Sequence, residues 1–406
     1  MSDVAVLAVV FAAVVVGHRE RWRPLGAARA LWICEGTFFA LVLVATVHPL
    51  LWQEHYRFLT HLVTAAKFCE YGLLAPAVAI LIRGSDDVVP LLYAAVGWAV
   101  AAAGWALLQF SGLVNELEGK RPLQREPSFL GIHDLAALSG GVFAVALAAI
   151  AIGPRPPLRW AAAATAAVAG GVGLVLSAAV AGAIGVGAAA IAAVAIARVR
   201  RVVPVKRGVM VGAAAALAVV GVLLMRSGDV ADFVRSFGVG HEPKPQVDVE
   251  TYQHRSLLGY IGLRIFADHP VAGVGWQGSE ELENYGPYLD DARRRFPDVN
   301  PIAFPSPKHP WGVQNAYLQT LTDLGVVGFG ALVVLFLVAV AAAVRAALRA
   351  PPALLLPSLI GLLWLLVAAG AWNGLGLVAG IPLDALTWLG VGLIGAAVGW
   401  TRDARV

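Results

Sequence analysis

Charge is what this sequence has least of. Asp, Glu, Lys and Arg make up 14% of its 406 residues, against about a quarter in an average soluble domain, and that scarcity excludes a single water-soluble globule. Cysteine is almost missing too. The two present, Cys34 and Cys69, stand in apolar stretches, which excludes a disulfide framework and any metal site with recognisable thiolate spacing. No basic segment precedes the first apolar run, which begins directly after Met-Ser-Asp-Val, so no cleavable signal peptide is expected. Tandem repeats are absent, and low complexity is confined to Ala-rich apolar runs. What is abundant is apolar: 59% of residues are hydrophobic, with 44 glycines, and the mean hydropathy is +0.75. This is the composition of a polytopic helical membrane protein, in which small residues let helix backbones approach one another.

Apolar runs that match, or nearly match, the roughly 30 Å of bilayer hydrocarbon fall at 4–17, 30–49, 59–82, 88–111, 134–153, 160–178, 180–197, 208–225, 317–344, 353–371 and 382–400. They predict about eleven transmembrane helices, the first one short. The apolar stretch 160–197 would be far too long as one helix, so it is expected to fold back near Ser177 to Gly182 as a hairpin. Alternate connections collect sixteen cations, from Arg19, Arg21, Arg23 and Arg29 through Arg83, Arg155 and Arg159, then the Arg198 to Arg207 run, Arg345, Arg349, Arg402 and Arg405. The other side has Arg57 and the Lys120, Arg121, Arg125 group outside one long loop. The positive-inside rule then puts the C-terminus in the cytoplasm and the N-terminus outside. The net charge of +4 is spread along these connections next to the membrane. Anionic lipid is therefore the expected partner of the basic runs, and nucleic acid is not.

One segment departs from this economy of charge. Residues 226–313 hold 21 of the 56 charged side chains, and they lie on the outer side. The chain therefore divides into residues 1–225 with helices 1 to 8, an extracytoplasmic loop 226–313, and residues 314–406 with helices 9 to 11. A loop of that length is usually functional. Ser256 to Phe266 reads as an amphipathic helix and Glu280 to Phe296 as a second, more polar one, before Pro297, Pro301, Pro305, Pro307 and Pro310 impose extended or turn backbone.

Three motifs stand out: Arg125-Glu-Pro-Ser-Phe-Leu-Gly-Ile-His-Asp-Leu-Ala136, His269-Pro-Val-Ala-Gly-Val-Gly-Trp276, and Gln314-Asn-Ala-Tyr-Leu-Gln-Thr-Leu-Thr-Asp-Leu-Gly-Val-Val-Gly328. With the large late loop they resemble the O-antigen ligase and O-antigen polymerase superfamily of bacterial membrane glycosyltransferases, over roughly 120 to 345. The resemblance implies an all-α, polytopic, GT-C-like architecture in the bacterial plasma (inner) membrane. It implies transfer of a glycan from a polyprenyl-diphosphate carrier to an acceptor hydroxyl, on an acceptor glycan or lipid, at the outer face. No metal, nucleotide or other cofactor is expected. The chain departs from the family at two positions: Gln314 stands where ligases carry histidine, and Val180 where a Ser-Arg-Gly motif has its arginine.

Charge grows on the diphosphate as the glycosidic bond breaks, and a guanidinium suits that role. Arg255 matches the family's loop arginine, Arg264 and Arg125 are further candidates, and the alternative for Arg255 is pairing with Glu250 or Asp268. The base that takes the acceptor proton is best a histidine; His309 is the first candidate, with His254 and His133 weaker ones. Gln314 and Asn315 are candidate substrate-binding groups, Asn315 being equally a helix N-cap. Glu280, Glu281 and Glu283 read as a solvated helix face, and Trp276 and Trp311 as interfacial anchors. Inside the helices, Glu35, His61, Lys67 and Glu70 are costly. Lys67 and Glu70 are spaced to neutralise each other, and Lys67 is the one carried forward as a possible carrier contact. The rival function is a lipid-glycan transporter or flippase, or a homologue that binds the carrier without catalysis. A transporter should show repeats and midplane charges, and the concentration of charge in the outer loop favours the enzyme.

Overall fold

The computed structural model describes residues 2–114, 123–153, 160–228, 231, 252–378 and 382–404, and a helix occupies each of the eleven apolar runs. Lys120, Arg121, Arg155, Arg159, Glu250 and Arg405 lie outside the described residues. Among the described residues nine helices are long and apolar enough to cross a bilayer, while Ser2–Arg19 and the 17-residue Leu355–Ala371 are not among those nine. The protein is a multi-pass α-helical membrane protein. Extended pairing among the described residues is limited to one isolated bridge, between Ser306 and His309.

Local sequence explains the breaks. The run 59–82 forms two helices, Phe58–Gly72 and Leu74–Leu81, because Pro76 has no N–H for the Gly72 carbonyl. The stretch 160–197 folds back at Ala178, where φ is +48°, giving helices Trp160–Ser177 and Val180–Val199; the Ser177 hydroxyl accepts a hydrogen bond from the Ala179 amide at 3.3 Å. At the centre, Ile132–Ile152 is buried on nearly every side. Small residues set the spacing: a Cβ on Gly370 would meet the Gly185 backbone at 2.5 Å, so Val180–Val199 and Leu355–Ala371 pack closely only without side chains there.

Contacts between helix ends fix one face of the bundle. The Leu383 amide donates to Asp134 Oδ1 (2.8 Å), the Ala316 amide to the Trp372 carbonyl (2.9 Å) and the Glu126 amide to the Leu176 carbonyl (2.9 Å). The described part of the loop sits over this face, here termed the loop end. Its helix Tyr252–Asp268 covers the expected amphipathic stretch. The expected second helix over 280–296 is instead Leu282–Tyr285 and Leu289–Arg295, separated by a tight turn at Gly286-Pro287, since proline disrupts a continuous helix. Leu257, Ile261, Ile265, Val274, Tyr285 and Phe304 form an apolar cluster separate from that of the membrane helices.

The segment His269–Trp276 and the helix Ala316–Arg349 form one construction. The helix is interrupted at Gly325, whose φ is +64°, a value only glycine adopts readily. Across the opened turn, the amides of Val274 and Gly275 donate to the carbonyls of Thr322 (3.2 Å) and Asp323 (2.8 Å). The amides of Val326 and Val327 donate to those of Pro270 (2.8 Å) and Val271 (3.3 Å). A Cβ on Gly325 would lie 2.2 Å from the Val271 oxygen, and one on Gly273 2.4 Å from the Asp323 backbone. The two glycine-bearing motifs are thus the two sides of one backbone contact. It docks the loop on a membrane helix and satisfies carbonyls that the break would otherwise leave bare.

Candidate functional site

Four chain segments converge on His133, the second residue of helix Ile132–Ile152. Residues 123–131 fold over the end of helix Val88–Phe110, held by Gln109 Nε2 donating to the Ser128 carbonyl (3.1 Å) and by the Ser128 hydroxyl donating to the Ala102 carbonyl (2.8 Å). Arg125 is half-buried in this segment, next to the fully buried Glu126. Helix Val205–Met225 ends at Arg226, whose buried guanidinium lies 4.7 Å from the centre of the Tyr252 ring. One turn beyond Tyr252, on the same side of its helix, Arg255 donates from Nη2 to His133 Nε2 at 3.1 Å. A guanidinium has no acceptor, so His133 Nε2 carries the lone pair and the imidazole is held neutral. Arg255, Arg125 and Arg226 all bring their positive charge to bear on it. One guanidinium is thus fixed, and the charge of two more acts, at the start of a helix, where the helix dipole already favours an anion.

The sequence candidates distribute unevenly around this point. Arg255 and Arg125 are brought together there. Arg264 is not: nine residues along the helix is roughly 14 Å and about half a turn from Arg255, and its charge acts instead on Tyr260, Tyr288 and Asp291. The alternative partner of Arg255, Asp268, accepts a hydrogen bond from Tyr288. His254, buried beside Arg255, meets the Trp311 ring edge-on at 5.5 Å, and His309 stacks on Trp311 at 6.0 Å. Both histidines therefore belong to one aromatic row that ends next to Arg255. Asn315 caps helix Ala316–Arg349 through Oδ1, which accepts from the Leu318 amide at 3.0 Å, and its Nδ2 donates to Asn373 at 3.4 Å. Gln314 is half-buried beside it. Gly374 lies against His133, so close that a Cβ there would be 2.5 Å from the ring. Lys67 stands elsewhere, paired with Asp3 at 3.6 Å as well as neighbouring Glu70.

A second ionic cluster fastens the loop to helix Phe58–Gly72. Glu281 Oε1 accepts from Arg57 Nε at 2.8 Å and contacts His61 Nε2 at 2.6 Å. Around it, Thr64 donates to Gln277 Oε1 (2.8 Å), Trp276 Nε1 donates to Thr64 (3.0 Å), and the Tyr56 hydroxyl donates to the Trp276 carbonyl (3.2 Å). The Ser279 amide donates to the buried Asp323 at 3.1 Å, close to the helix break. Burial pushes the Glu281 carboxyl up, but the hydrogen bonds from His61 and Arg57 outweigh it and hold the group below its ordinary value. Burial, reinforced by the charge of Asp323, pushes Glu280 up to about 7. This corrects the reading of Glu281 as part of a solvated face: it is buried and paired. It also corrects Trp276, which is fully buried in the joint rather than at the interface. Among the described residues no three His, Cys, Asp or Glu side chains are placed to hold a metal ion.

Sequence reasoning missed Arg226 and the Arg57, His61, Glu281 joint. Arg226 had a visible signal, being a cation directly behind an apolar run on the side poor in cations. The joint had none, because its partners are more than 200 positions apart.

Residues 163–333 match the family described as O-antigen ligase. That stretch includes the docked segment, Arg226, Arg255 and the helix break, and it begins after Arg125 and His133. No curated protein matches the chain.

Proposed function

The chain belongs to the O-antigen ligase and polymerase superfamily, and from that premise we propose that it moves a glycan from a polyprenyl-diphosphate carrier to an acceptor hydroxyl on the outer face of the bacterial plasma membrane. The observation that carries this reading is Arg255 hydrogen-bonded to His133 at a helix start, with Arg125 and Arg226 within electrostatic reach of the same ring. As the bond from the anomeric carbon to the diphosphate oxygen breaks, its electron pair stays on that oxygen. Guanidiniums fixed beside it stabilise the growing charge more in the transition state than in the substrate. The acceptor oxygen attacks the opposite face of the sugar, giving inversion, and loses its proton to His309 at the far end of the Trp311 row. His133, unable to donate from Nε2, serves to orient Arg255. Gln314 and Asn315 border the same corner through Asn373 and Gly374, and their amides suit sugar hydroxyls.

Gln314, at the position where ligases carry histidine, favours a second lipid-linked glycan as acceptor, making the reaction a polymerisation. The test is glycan chain length and linkage in the cell envelope, and transfer by the purified protein, for Arg255→Ala, His309→Ala and Lys67→Ala. Loss of one positioned oxyanion partner costs about 100- to 1,000-fold in rate, and that loss is expected for Arg255→Ala. If Arg255→Ala transfers normally while Lys67→Ala abolishes activity, the arginine cluster is not the donor site and the transport reading gains. Activity should also persist in chelator.

A further inference from the structure

The end of the bundle away from the loop carries a second cationic construction. Arg29, Arg345, Arg349 and Arg402 line a groove of about 630 Å³ between helices Arg29–Val47, Ala316–Arg349 and Leu383–Asp403. Its walls are apolar, formed by Leu31, Val334, Leu337 and Val338 among others, and Val334 and Leu337 are open to the surroundings. On the long helix the lining is graded along one face. Val334, Leu337, Val338, Ala341 and Ala342 come first, and Arg345 and Arg349 follow one turn apart. From Val334 to Arg345 is roughly 16 Å of helix, about half the hydrocarbon thickness of a bilayer. The apolar part therefore matches one leaflet, and the guanidiniums lie at headgroup depth. Among the described residues none of the four arginines is engaged in an ion pair. A neighbouring cavity of about 780 Å³ shares Arg402 and adds Arg19, Arg21, Arg23 and Arg83. There, however, Glu20 pairs with Arg83 and Asp403 is also in the lining, so its charge is partly answered.

We propose that the groove under Arg29, Arg345, Arg349 and Arg402 is a binding site for an anionic phospholipid of the leaflet opposite the loop, the cytoplasmic one by the distribution of arginine along the chain. The headgroup phosphate sits among the guanidiniums, which bind phosphate oxygens in a fork, and an acyl chain lies along Val334 to Ala342. A soluble anion would use the charged end and leave the graded wall without purpose. A zwitterionic headgroup would bring an ammonium into a corner that is already positive.

The test uses the full-length protein, purified and delipidated, with lipid adducts counted by native mass spectrometry. It is titrated with phosphatidylglycerol and phosphatidylcholine of identical chains. The wild type should retain phosphatidylglycerol in preference. Arg345→Gln with Arg349→Gln should weaken that capture roughly five-fold for each guanidinium removed. Ala341→Trp, which fills the groove and keeps all four charges, should weaken it as well, whereas Arg293→Gln in the loop should not. Glycerol 3-phosphate in excess should fail to compete. Equal retention of the two lipids by the wild type overturns the proposal without any variant. Competition by glycerol phosphate together with an unaffected Ala341→Trp would reduce the site to one for soluble anions.

Discussion

At the loop end, two groups of ionisable side chains are withdrawn from water, and they are composed differently. Around Glu281 the signs are matched: a carboxylate receives hydrogen bonds from a guanidinium and an imidazole, and these bonds join the loop to a membrane helix. Around His133, Arg255 is hydrogen-bonded to the ring and the charges of Arg125 and Arg226 reach it, with the buried carboxylates of Glu126 and Asp134 in the neighbouring sequence. Matched charges in a low-dielectric setting hold parts together, whereas guanidiniums gathered at a helix start also suit an incoming anion. The difference separates what builds the protein from what the protein uses.

The sharpest way to break this comparison is Glu281→Ala. Removing the carboxylate leaves the buried His61 ring without its hydrogen-bond partner and Arg57, itself 42% exposed, without its ion pair, and costs about 1 to 3 kcal/mol. The melting temperature of the purified protein should fall, and proteolysis should open the loop between 269 and 313. Arg255→Ala, although far more damaging to transfer, should lower the melting temperature by less. If Arg255→Ala destabilises as much as Glu281→Ala, both clusters are joints and the distinction fails.

A smaller effect is expected for Arg226→Gln. The guanidinium over Tyr252 contributes about 1 to 2 kcal/mol by cation–π contact in a desolvated setting, so removing it should slow transfer roughly 5- to 30-fold by misplacing Arg255, one turn further along the same helix. Added salt should lower the wild-type rate more than that of Arg226→Gln, because the variant has one fewer charge to screen. A rate equal to wild type at low salt would remove Arg226 from the site.

Much of this was legible in order of range. The helices follow from apolar runs, and the hairpin follows from a run too long for one crossing. Gly273 and Gly325 were visible as members of motifs, yet their reason for being glycine lies in each other's backbone. Arg255 and Arg125 were legible because each sits in a recognisable segment. Their partner His133 was visible in the first motif but ranked low, since the helix end that lifts it toward Arg255 has no sequence signature. Arg264 was misplaced because a helix turns side chains nine positions apart to opposite faces. Lys67 was expected to be balanced by Glu70 on its own helix, and Asp3, 64 positions earlier, shares in that pairing.

The finest distinction lies within the matched cluster, between the adjacent carboxyls of Glu280 and Glu281. Glu280 titrates at about 7 in the folded protein against an ordinary 4.5, so the folded state binds its proton more tightly than the unfolded chain does. Its contribution is fully present below about 4.5 and is lost as pH rises to about 7. Glu281 is displaced downward, so its contribution has the opposite sign, present above the ordinary carboxylate range and lost in acid. Glu280→Gln should therefore leave the unfolding free energy nearly unchanged near pH 4.5 and raise it progressively toward pH 8, by about 1 to 2 kcal/mol. Glu281→Gln should do the reverse, harming the protein at neutral pH and becoming harmless in strong acid. Parallel pH profiles for the two variants would place both carboxyls in the same surroundings and erase the division of labour between a paired residue and its unanswered neighbour.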